Sequence, residues 1–173
     1  MEKNVKWKIP HVIKIPEAFS ALTDERYEEK GKFFYVYSSN RARKYRVTVY
    51  EDGYASNDNM SYNQNILGYP VVLHLMLKKK ISYDAAIAKL FKNINWTELN
   101  LACKKDFDAS YHNVLQIFSE NGSDAACIDK EVQSAYSQLK MIIPMTRRYK
   151  SEVTFEESLL MNGNNNRKQI LRF

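Results

Sequence analysis

Apolar and polar side chains alternate along the first third of the chain. Tyr45, Val47 and Val49 share one face of an extended segment, and polar residues separate them. This two-residue period is typical of a half-buried β-strand. An aromatic-rich run at residues 33–37 precedes it, and Asp52-Gly53 favours a tight hairpin after it. We predict a three-stranded antiparallel meander, with residues 54–56 as the third strand.

Beyond the meander, the apolar positions follow the helical period. They recur at helical spacing from Phe107 to Phe118, with Gly122 just past the end. A longer segment repeats the pattern from about residue 124 to Ile143, where Pro144 stops it. Both segments are predicted to be amphipathic helices with one buried face.

Start signals predict shorter helices elsewhere. These helices are expected to begin at Pro16, Pro70 and Ser82, near Thr97, and after the capping box of Thr154 and Glu157. We expect the helix that begins at Pro16 to end at Gly31. Residues 1–15 are expected to form an extended arm, because residues before proline avoid the helical region. The Asn-rich residues 56–65 are predicted to be a loop. The pattern as a whole predicts an α+β fold.

Length and composition fit one globular domain. The chain has 173 residues, of which 45% are hydrophobic and 27% charged. We predict a single α+β domain over residues 1–163 and a polar tail over residues 164–173. The N-terminus lacks a secretory leader and no apolar run is long enough to span a bilayer, so a cytoplasmic protein without a membrane partner is expected.

Motifs for catalysis or cofactor binding are missing. There is no nucleophile elbow, glycine-rich phosphate loop or cluster of histidine and cysteine, and the two cysteines, Cys103 and Cys127, are far apart. We therefore expect no cofactor and no metal ion. Enzymatic activity stays open, and a non-enzymatic role is preferred.

A basic hairpin is the first candidate site. Arg41, Arg43, Lys44 and Arg46 crowd one loop and strand, with tyrosines nearby, in a chain of net charge +6. Cations contact phosphates and exposed aromatic rings stack on bases, so nucleic acid or an acidic protein is a possible partner. The alternative is a solvated hairpin with half-buried tyrosines.

A polar cluster is the second candidate site, formed by Ser56, Asn57 and Asp58 together with His74. Asn and Asp side chains also cap backbone and hold tight turns, so a purely structural role is the alternative. His74 lies inside an apolar helix, where a buried histidine with a hydrogen-bond partner is the other interpretation.

The order of elements over residues 32–77 resembles the β-hairpin–helix plan of SWIM-type zinc fingers. Ser56-Asn57-Asp58 and Gly68-Tyr69-Pro70 stand where that family carries its CxC and CxH metal ligands. All of those ligands are absent here. The resemblance implies a metal-free interaction module for nucleic acid or protein.

Two hypotheses of function follow. The first is a non-enzymatic binding module whose basic hairpin meets nucleic acid or an acidic partner. The second is an interaction or assembly protein that forms a homo-oligomer, or docks on a partner, through the long helix from about residue 124 to residue 143.

Overall fold

One sheet of five strands forms the centre of the computed structural model, which describes residues 5–160. The strands are β1 (Tyr27–Lys30), β2 (Phe33–Tyr37), β3 (Lys44–Val49), β4 (Gly53–Ser56) and β5 (Arg147–Arg148). They lie in sequence order, and the first four pair antiparallel with their neighbours. The short β5 instead runs parallel to β4 at the edge of the sheet.

Helices account for most of the remaining described chain. They are α1 (Lys14–Thr23), α2 (Asn59–Gln64), α3 (Tyr69–Leu77), α4 (Ala85–Leu90), α5 (Trp96–Ala102), α6 (Phe107–Glu120) and α7 (Ala125–Ile142). Single 3-10 turns follow at Ile143–Met145 and Glu156–Ser158. The predicted α+β class is confirmed.

Carboxylate and amide side chains start most of these helices. Asp58, Asp84, Asn95, Asp106 and Asp124 are the N-caps of α2, α4, α5, α6 and α7, and each accepts a backbone N–H of the first turn. Such a bond satisfies one of the four amide groups that a helix leaves without a partner at its start. The starts of the helical half are therefore encoded by single polar residues.

The two faces of the sheet have different environments. Phe34, Val36 and Val47 point inward and are almost fully buried. Helix α3 packs on this inner face against β2, β3 and β4, while α1 packs against α3, α4 and α7. The alternate residues Phe33, Tyr35 and Tyr37 lie on the outer face and are half-buried. This alternation follows from the two-residue period of a strand.

The predicted three-stranded meander is incomplete, because the sheet has two further strands. The helix expected to continue to Gly31 ends at Thr23, and the next residues pair with β2 as β1. Gly31 lies in the turn between β1 and β2 with a φ of +59°, a conformation that favours glycine. Strand β1 is mostly polar, so its sequence has neither the aromatic run of β2 nor the apolar alternation of β3.

Helix α2 lies where a loop was expected. Residues 59–64 are polar apart from Met60, but Asp58 accepts the backbone N–H of Ser61 and starts one short helix there. Helix α1 likewise begins at Lys14, two residues before Pro16, so the predicted arm is shorter than residues 1–15. Within this arm, Lys8 forms an isolated parallel β-bridge with Ile66, just after α2.

The predicted capping box after β5 is confirmed. The backbone N–H of Thr154 donates to Glu157, and that of Glu157 donates to the Thr154 hydroxyl. Only a 3-10 turn follows, at Glu156–Ser158. The expected end of this helix at residues 162–163, and the tail at 164–173, lie outside the described residues.

We predict that Gly53→Ala detaches β5 from the sheet. A Cβ atom at this position would overlap the main chain of Arg147, so the two strands must separate. The backbone N–H groups of Arg147 and Tyr149 donate to Asp52 and Tyr54, and they should lose protection in amide hydrogen exchange. The free energy of unfolding should fall by about 1–3 kcal/mol.

Gly31→Ala is the matched control, since it also places alanine at a turn glycine of the sheet. Nothing lies within 4 Å of its Cβ position, although the positive φ is strained for alanine. It should destabilise the protein without exposing the Arg147 and Tyr149 amides. If both amides stay protected in Gly53→Ala, the close contact between Gly53 and Arg147 is not required for β5 to pair with β4.

Candidate functional site

A cavity of about 430 Å³ opens between the sheet and the helices. Its walls come from α1, the segment just after β2, β3, α2, the first residue of α3, α5 and the start of α6. Ligand sites of this size are usually apolar with a few polar groups. This cavity is unusual because charged side chains of both signs, themselves buried in the protein, line it.

An ion pair from the first turn of α1 forms one wall. Lys14 Nζ lies 2.7 Å from Glu17 Oε2, and the two side chains are only 7% and 5% exposed. Asn100 on α5 donates to the other Glu17 oxygen at 3.1 Å. The Lys14 ammonium also lies 4.9 Å from the ring centroid of Phe107. Removing two charges from water is costly, so such a pair is weak evidence for a stabilising role.

Arg26 brings a second buried cation to the cavity, from the connection between α1 and β1. Its Nε donates to Asp24 at 3.1 Å, and its Nη1 donates to the carbonyl of Tyr37. Its guanidinium also reaches the Tyr69 hydroxyl on the opposite wall. The guanidinium is thus fixed in orientation by protein groups and retains donor capacity.

Two tyrosines meet on the opposite wall. The rings of Tyr45 on β3 and Tyr69 on α3 are edge-to-face, with centroids 6.2 Å apart. Burial raises the pKa of both hydroxyls well above the ordinary value. The Asp58 carboxylate adds to the rise at Tyr45, while Arg26 opposes it at Tyr69. Both hydroxyls therefore stay protonated at neutral pH and can donate or accept.

Asp58 is the fourth buried charge of the lining, to which the exposed Lys105 also contributes. Its carboxylate accepts the Ser56 hydroxyl at 2.6 Å and the backbone N–H of Ser61 at 3.1 Å. It packs directly on Gly68, where any Cβ atom would overlap its oxygens. Of the predicted polar cluster, Ser56 and Asp58 lie together, and the Asp58 carboxylate faces the cavity.

The other two members of that predicted cluster lie elsewhere. Asn57 accepts the backbone N–H of Arg46 at 2.7 Å and donates to the carbonyl of Thr154 at 2.8 Å. His74 Nδ1 lies 3.0 Å from the Tyr54 hydroxyl, in a buried position outside the cavity. Burial and then the positive charge of Lys78 lower the His74 pKa from 6.5 to about 4. Both residues have structural partners.

The basic hairpin is largely engaged within the protein. Arg43 donates to the Phe155 carbonyl and the Ser158 hydroxyl and stacks on the Phe155 ring. Lys44 pairs with Glu28, and Arg46 lies 3.6 Å from Glu152. Arg41 is exposed at the tip, with a φ of +57°. The structure therefore does not gather the four cations into one free patch.

The comparison with protein families identifies one match. Residues 7–144 match the family described as Uncharacterised conserved protein UCP014422. The chain belongs to that family. All residues that line the cavity, from Lys14 to Phe107, lie within the matched range. No curated protein and no solved structure matches the chain significantly.

Membership of this family leaves the resemblance to SWIM-type zinc fingers a prediction. Two residues at the positions that correspond to the metal ligands contact each other here. Asp58 caps α2, and its carboxylate packs directly against Gly68. Within residues 5–160, no group of three or more His, Cys, Asp or Glu side chains is arranged to hold a metal ion. No helix in the described part of the chain is long and apolar enough to cross a bilayer.

Sequence reasoning found Asp58 but missed most of the cavity. Lys14 and Glu17 are spaced as an ordinary surface pair on a helix. Their neighbours in α1 are apolar almost throughout, and eight of its ten residues are buried. A helix that is apolar on all sides is a buried one, and this was the available indication that its two charges are buried too.

We predict that the Lys14–Glu17 pair costs stability. Lys14→Met leaves the Glu17 carboxylate buried without its cation and should lower the free energy of unfolding by about 3–5 kcal/mol. The double variant Lys14→Met/Glu17→Leu removes both charges and should be at least as stable as the wild type. Denaturant unfolding measures both values. A double variant as unstable as Lys14→Met would mean that the pair itself stabilises the fold.

We predict that His74 makes stability depend on pH. Its side chain is 5% exposed and its folded-state pKa is about 4, below the 6.5 of the unfolded chain. The unfolded chain therefore binds a proton first as the pH falls. The stability contribution is complete above pH 6.5 and is lost between 6.5 and 4, by up to about 3 kcal/mol.

Denaturant unfolding at pH 4, 5, 6 and 7 tests this, with His74→Gln and His112→Gln compared. His112 is exposed on α6 and serves as the matched control. His74→Gln should flatten the loss of stability in this range, and His112→Gln should retain it. Equal slopes in the wild type and His74→Gln would contradict the prediction.

Proposed function

We propose that this protein binds a small zwitterion of the amino-acid class in the cavity. The observation that carries the proposal is the presence of two cations and two anions, all with buried side chains, on the walls of one cavity. Lys14 and Arg26 suit a carboxylate. Glu17 and Asp58 suit an ammonium group.

The four charged groups retain hydrogen-bonding capacity for such a ligand. The Lys14 ammonium has three N–H groups and gives one to Glu17. The Asp58 carboxylate accepts one bond at each oxygen, and each carboxylate oxygen has two acceptor sites. A zwitterion could therefore add charge-assisted hydrogen bonds without breaking those that hold the walls.

The remaining walls fit the uncharged part of the ligand. Trp96 and Phe107 line the cavity with Leu101 and Met60, so the lining is largely apolar beside the charges. Trp96 is itself fixed, because its indole N–H donates to Ser20 at 2.7 Å. A pre-formed apolar wall lowers the ordering cost of binding.

The two hypotheses from the sequence remain proposals beside this one. For assembly through the long helix, Ile128, Val132, Ala135 and Leu139 form the buried face of α7 within the protein. The exposed apolar side chains near its end are Met141 and Met145. The hypothesis of nucleic-acid binding draws on the outer face of the sheet, where Lys44 and Arg46 of the basic hairpin lie beside the aromatic rings of β2.

We predict that at least one of the twenty amino acids raises the melting temperature in a thermal-shift screen at millimolar concentration. Ligand that binds only the folded state stabilises it by RT ln(1 + [L]/Kd). For the amino acid that binds, analogues lacking either the ammonium or the carboxylate should bind at least about tenfold more weakly, because each loses charge-assisted hydrogen bonds. Titration calorimetry measures both.

Tyr45→Phe provides the test at the site. The hydrogen bonds found within residues 5–160 do not engage the Tyr45 hydroxyl, so its removal should leave the fold unchanged and weaken binding. Tyr50→Phe, whose ring stacks on Tyr149 outside the cavity, is the matched control and should bind as the wild type does. The proposal fails if no amino acid binds, or if an analogue without one charge binds equally well.

A further inference from the structure

The outer face of the sheet has a composition unlike the rest of the protein. Phe33, Tyr35 and Tyr37 of β2 stand in a row there, and they pair with Thr48, Arg46 and Lys44 of β3. We call these aromatic and cationic residues the aromatic face. The rings recur at every second residue, and the centroids of Phe33 and Tyr35 are 6.4 Å apart.

Cations stand over each ring of the aromatic face. Lys44 lies 4.6 Å from the ring centroid of Tyr35 and 5.3 Å from that of Tyr37, and the Arg46 guanidinium lies 4.6 Å from that of Phe33. Lys30 and Lys32 approach the same rings from the β1–β2 turn. Each ring therefore has at least one cation 4.6–5.9 Å from its centroid.

The charge of this face is positive. Lys30, Lys32, Lys44 and Arg46 face two carboxylates, Glu28 beside Lys44 and Glu152 beside Arg46. Arg41 is exposed at the adjoining hairpin tip. Helix α3 packs against the opposite, inner face of β2, β3 and β4, so it lies on the other side of the sheet from these charges.

We propose that the aromatic face binds single-stranded nucleic acid. A row of flat rings at regular spacing suits successive unpaired bases, because every base has a π face. The interleaved cations suit the phosphates between those bases. Antiparallel sheets that carry exposed aromatic rings bind single-stranded RNA in this way in other proteins.

An acidic peptide would use the cations but leave the rings without a matching group. It would therefore be attracted by charge alone, and it would bind no better at this face than at another surface with the same number of lysines. Duplex nucleic acid keeps its bases stacked inside the helix and could not reach the rings. The combination of rings and cations is what selects the single strand.

The site also lies on the other side of the sheet from the cavity. Tyr45 of β3 faces the cavity, whereas its neighbours Lys44 and Arg46 face outward. Binding at the aromatic face therefore does not depend on the proposed amino-acid site, and either proposal can fail alone.

Fluorescence anisotropy with a labelled twelve-nucleotide oligo(dT) or oligo(U) tests the proposal on the full chain. The expected result is saturable binding that weakens as salt is added. Tyr35→Leu keeps an apolar side chain at this half-buried position but removes the ring, and it should weaken binding about fivefold or more. Lys30→Ala/Lys32→Ala should weaken binding and reduce the salt dependence.

Lys89→Ala/Lys92→Ala is the matched control, because both lysines are exposed on or just after α4, among the helices. It should bind within about twofold of the wild type. Melting temperatures of all variants show that the losses are not due to unfolding. Should Tyr35→Leu fail to fold, Phe33→Leu provides the same test at the next ring.

Three results would overturn the proposal. The first is no saturable binding of either oligonucleotide. The second is equal loss in the two lysine pairs, which would show attraction by net charge only. The third is binding of poly-glutamate or of a DNA duplex as tight as that of the single strand, which would assign the face to an acidic partner or to the phosphate backbone alone.

Discussion

The contact between Asp58 and Gly68 joins the sheet to the helical part of the protein. Asp58 lies two residues beyond the end of β4, and its carboxylate holds both the Ser56 hydroxyl and the first turn of α2. Gly68 immediately precedes α3, and its missing side chain leaves the space that this carboxylate occupies. The contact between Asp58 and Gly68 thus sets the start of α2, the position of α3 on the sheet and the charged wall of the cavity.

The sheet also divides the molecule into two chemically different sides. Because successive residues of a strand point to opposite faces, β3 contributes Tyr45 to the cavity and Lys44 and Arg46 to the aromatic face. The inner side is closed by α1 and α3 and can discriminate a small ligand by charge and shape. The outer side carries a row of half-buried aromatic rings with cations beside them, and suits an extended ligand. The two proposed binding sites therefore lie on opposite faces of the same strands and use different side chains.

The parts of the fold that follow a simple period could be predicted. Strand β2 is a continuous run of aromatic and β-branched residues, and β3 alternates apolar with polar ones. Helices α6 and α7 carry regular apolar stripes that end near Gly122 and Pro144. The missed elements have no such period. Strand β1 is held by its partner β2, and α2 is a polar segment whose helix begins because Asp58 caps it.

The cavity was harder to predict because its residues come from distant segments. Asp58 was recognised as unusual within a polar loop, but nothing local to Lys14, Arg26 or Asn100 indicates that they face the same space. The sequence also could not show that cations of the basic hairpin have partners within the protein. Arg43 is held by residues 155 and 158, more than a hundred positions away, and sequence spacing cannot show such a partner.

The parallel pairing of β5 with β4 also bears on how the chain folds as it is synthesised. Gly53 cannot meet Arg147 until α2 to α7 have left the ribosome. During that interval, the edge of β4 that β5 later covers offers unpaired backbone groups to any other extended segment, including those of neighbouring nascent chains. A two-residue strand adds little hydrophobic burial, but once in place it covers this edge of β4.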